Sequence, residues 1–574
     1  VKFLKKLPKA INYRNQKLTV SIFLVIFSAI FCIAFFDQGL AMGLISLVFL
    51  TSSTFLIIFK LGLGDKKLLT IFLIAILIHT IAALFIYYTG FNPTGGGADY
   101  VLYHNNAVEV AKRFSGGDFS LEGLYSNHYF PVLIGIVYAF TLPEMIVGQM
   151  FVVWLSAISL LFAYFLILEI GGSKKSAVLA GLIIAIYPNY LFFGGLLLKD
   201  TVIIPLVLLG ILLEIKMIKN FSGLKFLSFF IVLTILMHFR FYVGFALMFS
   251  FIISWFLISS SKFYDRVIYG LTAIFLLGFS PMMLGLGYYG ITPIQSYLNK
   301  DIIKLYREVV YAPSPEFAKN TTTTTTTTIV LDGEKEIAVN SPPECSIINC
   351  KNDLRAPNGN TIADSYNSQK IPAVTYENDG RPPAVTYEND GSLYESTCAK
   401  CAKLKEENKE RGNKEKLTKT DFAEEDSGVG SSFVVSTGFD SPFNFVKNYT
   451  ISFIYSLFGP LPWQLKYKRH LLFLAETIPW YILWVVSLYG IYKFAKNNSF
   501  IEFIKKYKFS LPLLLFSVIA LGALSLYINN FGIIVRIRMP IFIALLCVMS
   551  LSFAFLSEDY LEKIKLRFRK WKNI

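Results

Sequence analysis

Runs of about twenty apolar residues, repeated between residues 18 and 556, constrain this chain more than any other feature. A helix needs about 20 residues to cross a hydrocarbon core about 30 Å thick. Inside that core every backbone N–H and C=O must be bonded within the protein, so each run is read as a helix. Composition agrees, because only 16% of residues are charged against about 25% in soluble domains, and mean hydropathy is +0.53. The expected fold class is an all-α polytopic membrane protein. The formal net charge of +15 is then no nucleic-acid signal. Much of it lies in short loops and tails beside the apolar runs, where Lys and Arg set orientation.

The pattern predicts twelve spans, over 18–36, 40–59, 68–88, 146–170, 176–198, 201–218, 223–239, 241–259, 267–290, 471–492, 509–528 and 532–556. Two shorter apolar stretches, 129–143 and 445–463, contain prolines and are read as re-entrant or interfacial helices on the outer face. Counting them as spans would raise the total to thirteen or fourteen. The basic tail (Lys2, Lys5, Lys6, Lys9, Arg14, Lys17) is followed by no clear cleavage site, so the first span is expected to be retained. With the N-terminus inside, Lys60, Lys66, Lys67, Lys174, Lys175, Lys216, Lys219, Lys225, Lys262 and Arg266 all fall inside. Lys493, Lys496, Lys505, Lys506 and Lys508 join them, as does the tail from Lys563 to Lys572. Lys466, Lys468 and Arg469 alone dissent. The expected location is the plasma (inner) membrane, with both termini cytoplasmic and the active face outside.

Six regions follow: an N-terminal membrane domain (1–290) containing the first outer loop (89–145), an amphipathic outer segment (291–312), a low-complexity insertion (313–440), an outer interfacial segment (441–470), C-terminal membrane helices (471–556) and a basic tail (557–574). The insertion holds a threonine tract at 321–328 and an eleven-residue tandem duplication, with Pro372 to Gly380 repeated at Pro383 to Gly391. Low apolar content and dense charge predict a poorly ordered segment without chemistry of its own. Two copies are too few for a solenoid. Cys345, Cys350, Cys398 and Cys401 have spacing that suits zinc, two disulfides or free thiols, and an outer location favours disulfides over zinc. Cys32 and Cys547 lie within apolar runs and are read as packing residues.

Ionisable residues at the predicted outer face come from distant parts of the chain. Asp99 and His104 follow the glycine run Gly95-Gly96-Gly97. Lys199 and Asp200 end one span and begin the next, His238 and Arg240 close another, Glu476 lies a turn or two into a later span, and Arg536 and Arg538 open the last. Charges at membrane depth are costly and usually face the protein interior or a wet cavity. Gathering both signs on one face suits an anionic substrate. Arg240, Arg536 and Arg538 fork onto phosphate oxygens and Lys199 adds a point charge, while Asp99 suits a general base acting on an acceptor hydroxyl. Bland roles stand beside these: span-end cations snorkel to headgroups, Asp200 suits a helix cap, and single histidines are usually structural. Asp99 has no basic neighbour in the sequence, which leaves it without an evident structural role.

These motifs resemble the GT-C superfamily of integral-membrane glycosyltransferases, which includes protein O-mannosyltransferases and aminoarabinose transferases. Asp99 followed by Tyr103-His104-Asn105-Asn106-Ala107 is similar to the acidic motif of that superfamily's first outer loop. Tyr187-Pro188 through Leu198-Lys199-Asp200-Thr201 resembles a second shared segment. Phe458-Gly459-Pro460-Leu461-Pro462-Trp463 and Glu476-Thr477-Ile478-Pro479-Trp480-Tyr481 look like segments of uncharacterised membrane proteins from bacterial surface-polysaccharide clusters. The resemblance covers about 1–290 and 440–560. It implies a sugar donor on polyprenyl phosphate, a glycan, lipid or protein acceptor, an inverting reaction with Asp99 as base, and substrate contacts from His104, Lys199, Asp200, Arg240, Glu476, Arg536 and Arg538. The chain departs from many relatives in lacking a carboxylate adjacent to Asp99. Its nearest acidic followers are Glu109, Asp118 and Glu122, so no metal or other cofactor is expected. No phosphate-loop spacing follows the glycine run, which argues against a sugar nucleotide. The alternatives are an O-antigen-type polymerase and a flippase or transporter of lipid-linked oligosaccharide. A transporter would place its site at the midplane between internal repeats, and no repeat is evident here.

Overall fold

A computed structural model describes residues 32–91, 99–120, 129–284, 441–464, 471–497, 507–528 and 531–553, together with Asn299, Ile303 and Glu502. Residues 314–429 separate from the remainder as a second unit and lie outside the described residues, with their four cysteines. Residues 18–31 of the expected first span, the glycine run at 95–97 and all of the amphipathic segment 291–312 but Asn299 and Ile303 also fall outside them.

Among the described residues the fold is all-helical, without strands. The first half runs α1 (Gln38–Lys60), α2 (Lys66–Thr89), α3 (Asp99–Ser115), α4 (Tyr129–Ala139), α5 (Met145–Glu169), α6 (Lys174–Ile186), α7 (Pro188–Phe193) and α8 (Asp200–Lys219). Then come α9 (Gly223–Phe239), α10 (Phe241–Ile258), α11 (Phe263–Leu284), α12 (Pro442–Phe458), α13 (Leu471–Asn497), α14 (Leu511–Tyr527), α15 (Phe531–Ile537) and α16 (Met539–Phe553). Among the described residues seven helices are long and apolar enough to cross a membrane: α1, α2, α5, α8, α10, α13 and α14, while α4, α9 and α16 are apolar but shorter. This is a membrane protein. Asp37, Asp65, Ser173 and Ser441 start α1, α2, α6 and α12 by accepting a backbone N–H in the first turn.

Burial sorts the helices. In α8 78% of the apolar window is buried inside the protein, against 22% in α1, so α8 is central and α1 peripheral. One main core joins α5, α8, α10, α14 and α16, where Leu160, Ile211, Leu247, Phe516 and Ala544 are essentially inaccessible.

The basic loops collect at one end. Lys174 meets Asp65 at 2.9 Å and Lys219 meets Glu169 at 2.7 Å, which brings the α1–α2, α5–α6 and α8–α9 connections together. From there α8, with 20 residues and about 30 Å of rise, leads to Asp200 at the opposite end.

Two expected spans are corrected. The stretch 176–198 is not one helix: α6 stops at Ile186, Pro188 opens the single-turn α7, and 194–199 continue as buried irregular backbone. Pro188 has no N–H and forces Tyr187 to extended geometry (φ −62°, ψ 121°). Gly194 is required there, because a Cβ would lie 2.5 Å from the Tyr190 carbonyl oxygen and 2.8 Å from His79 Nδ1. Such backbone survives at membrane depth only inside protein. The last span, 532–556, is likewise split into α15 and α16 at Arg538, just before Pro540, whose ring cannot continue the bonding ladder.

Candidate functional site

Four charged side chains from four elements form one network at the end of the bundle away from the basic loops. The break after α7 delivers Lys199 and Asp200 to the start of α8, both about 95% buried. Asp200 does not cap α8, since Lys199 occupies that position, and its carboxylate turns to two arginines instead. Arg240, between α9 and α10, reaches one Asp200 oxygen through Nη2 at 2.9 Å and donates from Nη1 to the Tyr242 hydroxyl at 3.0 Å. Arg536, in α15, binds the other Asp200 oxygen through Nε and donates from Nη1 to Asp99 at 2.6 Å. A single guanidinium therefore bridges two carboxylates that stand 101 residues apart in sequence. The positive end of α8 adds to the stabilisation of Asp200, and Lys199 attracts the same carboxylate.

Counting Lys199, three cations and two carboxylates of the described residues meet in this network. Exposure differs within it. Asp99 keeps 20% of its side chain accessible and Arg536 16%, while Asp200 keeps 6%. Asp99 is thus the carboxylate that a solute can reach. Its lack of a basic neighbour in sequence proved no guide, because Arg536 comes from the far end of the chain.

Glu476 and Arg538 behave differently. Arg538 Nη2 contacts Glu476 at 3.1 Å with both side chains essentially inaccessible. Its Nη1 donates to the carbonyls of Ser456 (3.0 Å) and Gly459 (2.7 Å), and its guanidinium lies over the Phe542 ring at 4.5 Å. Glu476 accepts from the Tyr187 hydroxyl at 3.3 Å and from the Asn189 amide. The pair ties α7, α12, α13 and the α15–α16 junction together. Both side chains lie in the interior of the described residues, apart from the more accessible Asp99 and Arg536.

His104 faces α4, where its Nδ1 meets the Tyr138 hydroxyl at 2.9 Å, and burial pulls its pKa below the usual imidazole value. It fastens α3, the helix that opens with Asp99, onto α4. His238 bonds the Thr234 carbonyl within its own helix (2.7 Å). Sequence reasoning missed Tyr187, Asn189 and Tyr242 as partners. A Tyr-Pro-Asn interruption in an otherwise apolar run was the available signal for the first two. Among the described residues no group of three His, Cys, Asp or Glu could hold a metal ion. Comparison with protein-family models, curated proteins and solved structures returned no match.

Proposed function

We propose that the chain is a GT-C-like membrane glycosyltransferase. It moves a sugar from a polyprenyl-phosphate donor to a glycan, lipid or protein acceptor at the outer face. One observation supports this above the others: Asp99, the most exposed carboxylate of the network, is held 2.6 Å from Arg536 at the end opposite the basic loops. Basic loops favour the cytoplasmic side, and that tendency supports reading this end as the outer one.

In the proposed reaction Asp99 takes the proton of the acceptor hydroxyl. The acceptor oxygen bonds the anomeric carbon, the bond from that carbon to the phosphate oxygen breaks, and the carrier leaves as polyprenyl phosphate. Arg536 meets the phosphate as negative charge develops, with Lys199 and Arg240 supplying the field behind it. Asp200 positions both arginines.

Asp99→Asn separates base from scaffold, because the amide oxygen still accepts from Arg536. Reconstituted in liposomes with a labelled polyprenyl-phosphate sugar, the variant is expected to transfer about 10²–10⁴-fold more slowly and to bind donor normally. Undiminished transfer would remove Asp99 as base. Movement of intact donor across the bilayer with no new glycosidic bond would replace the whole reading with a flippase.

A further inference from the structure

We propose a binding site for one anionic glycerophospholipid in the groove between α2 and α6 at the basic end of the bundle. Lys66, Lys67, Thr70, Ile71, Ile74, Val178 and Leu182 line an open groove of about 220 Å³. Lys67, Thr70, Ile71 and Ile74 stand at i, i+3, i+4 and i+7 on one face of α2, and Val178 and Leu182 at i and i+4 face them from α6. From Lys67 to Ile74 the helix rises about 10 Å, so the groove runs from a cationic mouth down an apolar wall. Gly181 lets the two helices close beneath it, since a Cβ there would sit 3.1 Å from Ile71 Cγ2.

Charge selects the occupant. Lys66 and Lys67 are exposed, and among the described residues neither ammonium has an acidic partner. The nearest carboxylate, Asp65, is already committed: one oxygen caps α2 at the Lys67 N–H (3.0 Å) and the other binds Lys174 at 2.9 Å. Two uncompensated ammoniums at the end of an apolar slot match a headgroup phosphate with an acyl chain below it. The surrounding face belongs to lipid, for Leu73, Leu77 and Leu179 are 45–60% exposed. The open groove has room for the upper part of one acyl chain. This site is independent of the transferase reading.

Native mass spectrometry of the purified full-length protein, titrated with phosphatidylglycerol and with phosphatidylcholine, tests the proposal. One tightly retained phosphatidylglycerol is expected. Lys66→Gln with Lys67→Gln should weaken it about thirty-fold, at about 1 kcal/mol per lysine, while Lys262→Gln at the same end leaves it unchanged. Leu182→Trp, which fills the slot, should abolish retention of phosphatidylglycerol. Equal retention of the two lipids, an equal loss in Lys262→Gln, or undiminished binding in the double lysine variant or in Leu182→Trp would overturn the site.

Discussion

Arg536 and Arg538 are separated by one residue and serve opposite ends of membrane-protein chemistry. Arg538 is sealed, with Glu476, two carbonyls and an aromatic face around it. Arg536 stands at the edge of accessible space and shares itself between Asp99 and Asp200. A buried charge pair fixes geometry but meets no substrate. A bridging arginine with a partly open carboxylate can exchange protein partners for a ligand. Depth decides the role, and residue type does not.

The sharpest way to break this comparison is to unpair the sealed site. Arg538→Leu should cost about 3–5 kcal/mol, because it strands an ionised Glu476 in the interior. The double variant Arg538→Leu/Glu476→Leu should recover much of that loss, as read by thermal unfolding in detergent. If the single and double variants were equally unstable, the pair would not be the reason for the loss.

At the open site the same test should read differently. Arg536→Lys keeps the charge but loses the planar fork that holds Asp99 and Asp200 in a fixed geometry. Transfer should fall about 100-fold through misplacement of Asp99, while the melting temperature changes less than in Arg538→Leu. A stability loss equal to that of Arg538→Leu would erase the distinction between the two arginines.

His104 predicts the smallest effect. Its imidazole is held below its ordinary pKa, so the unfolded chain binds the proton more readily than the fold does. The stability that depends on neutral His104 is complete above the ordinary value near 6.5. It is lost as pH falls from there towards the lowered folded value. Protection of the α3 amides, taken relative to their intrinsic exchange rates at each pH, should therefore fall between pH 7 and pH 5, and His104→Gln should flatten that response. An unchanged pH response in the variant would assign the effect to another group.

Much of the architecture was legible beforehand, for identifiable reasons. Spans 40–59, 68–88, 146–170, 201–218 and 241–259 match α1, α2, α5, α8 and α10 within a few residues, because the bilayer imposes a length and a polarity on each helix separately. The grouping of Lys60, Lys66, Lys174 and Lys219 at one end follows from alternation along the chain. The break at Tyr187-Pro188 was less legible. Its flanks are as apolar as any span, and hydropathy does not register irregular backbone that is buried in protein.

Asp99 and Arg536 illustrate the remaining limit. They lie 437 residues apart, and no local period or motif links positions so distant. The amino-acid sequence by itself determined the class of the molecule, the rough course of its helices and the inventory of charges near one end. Only the tertiary structure decided which charge meets which. Pairing depends on angstrom-scale approach between helices, and that approach is set by packing, as where Gly194 admits His79.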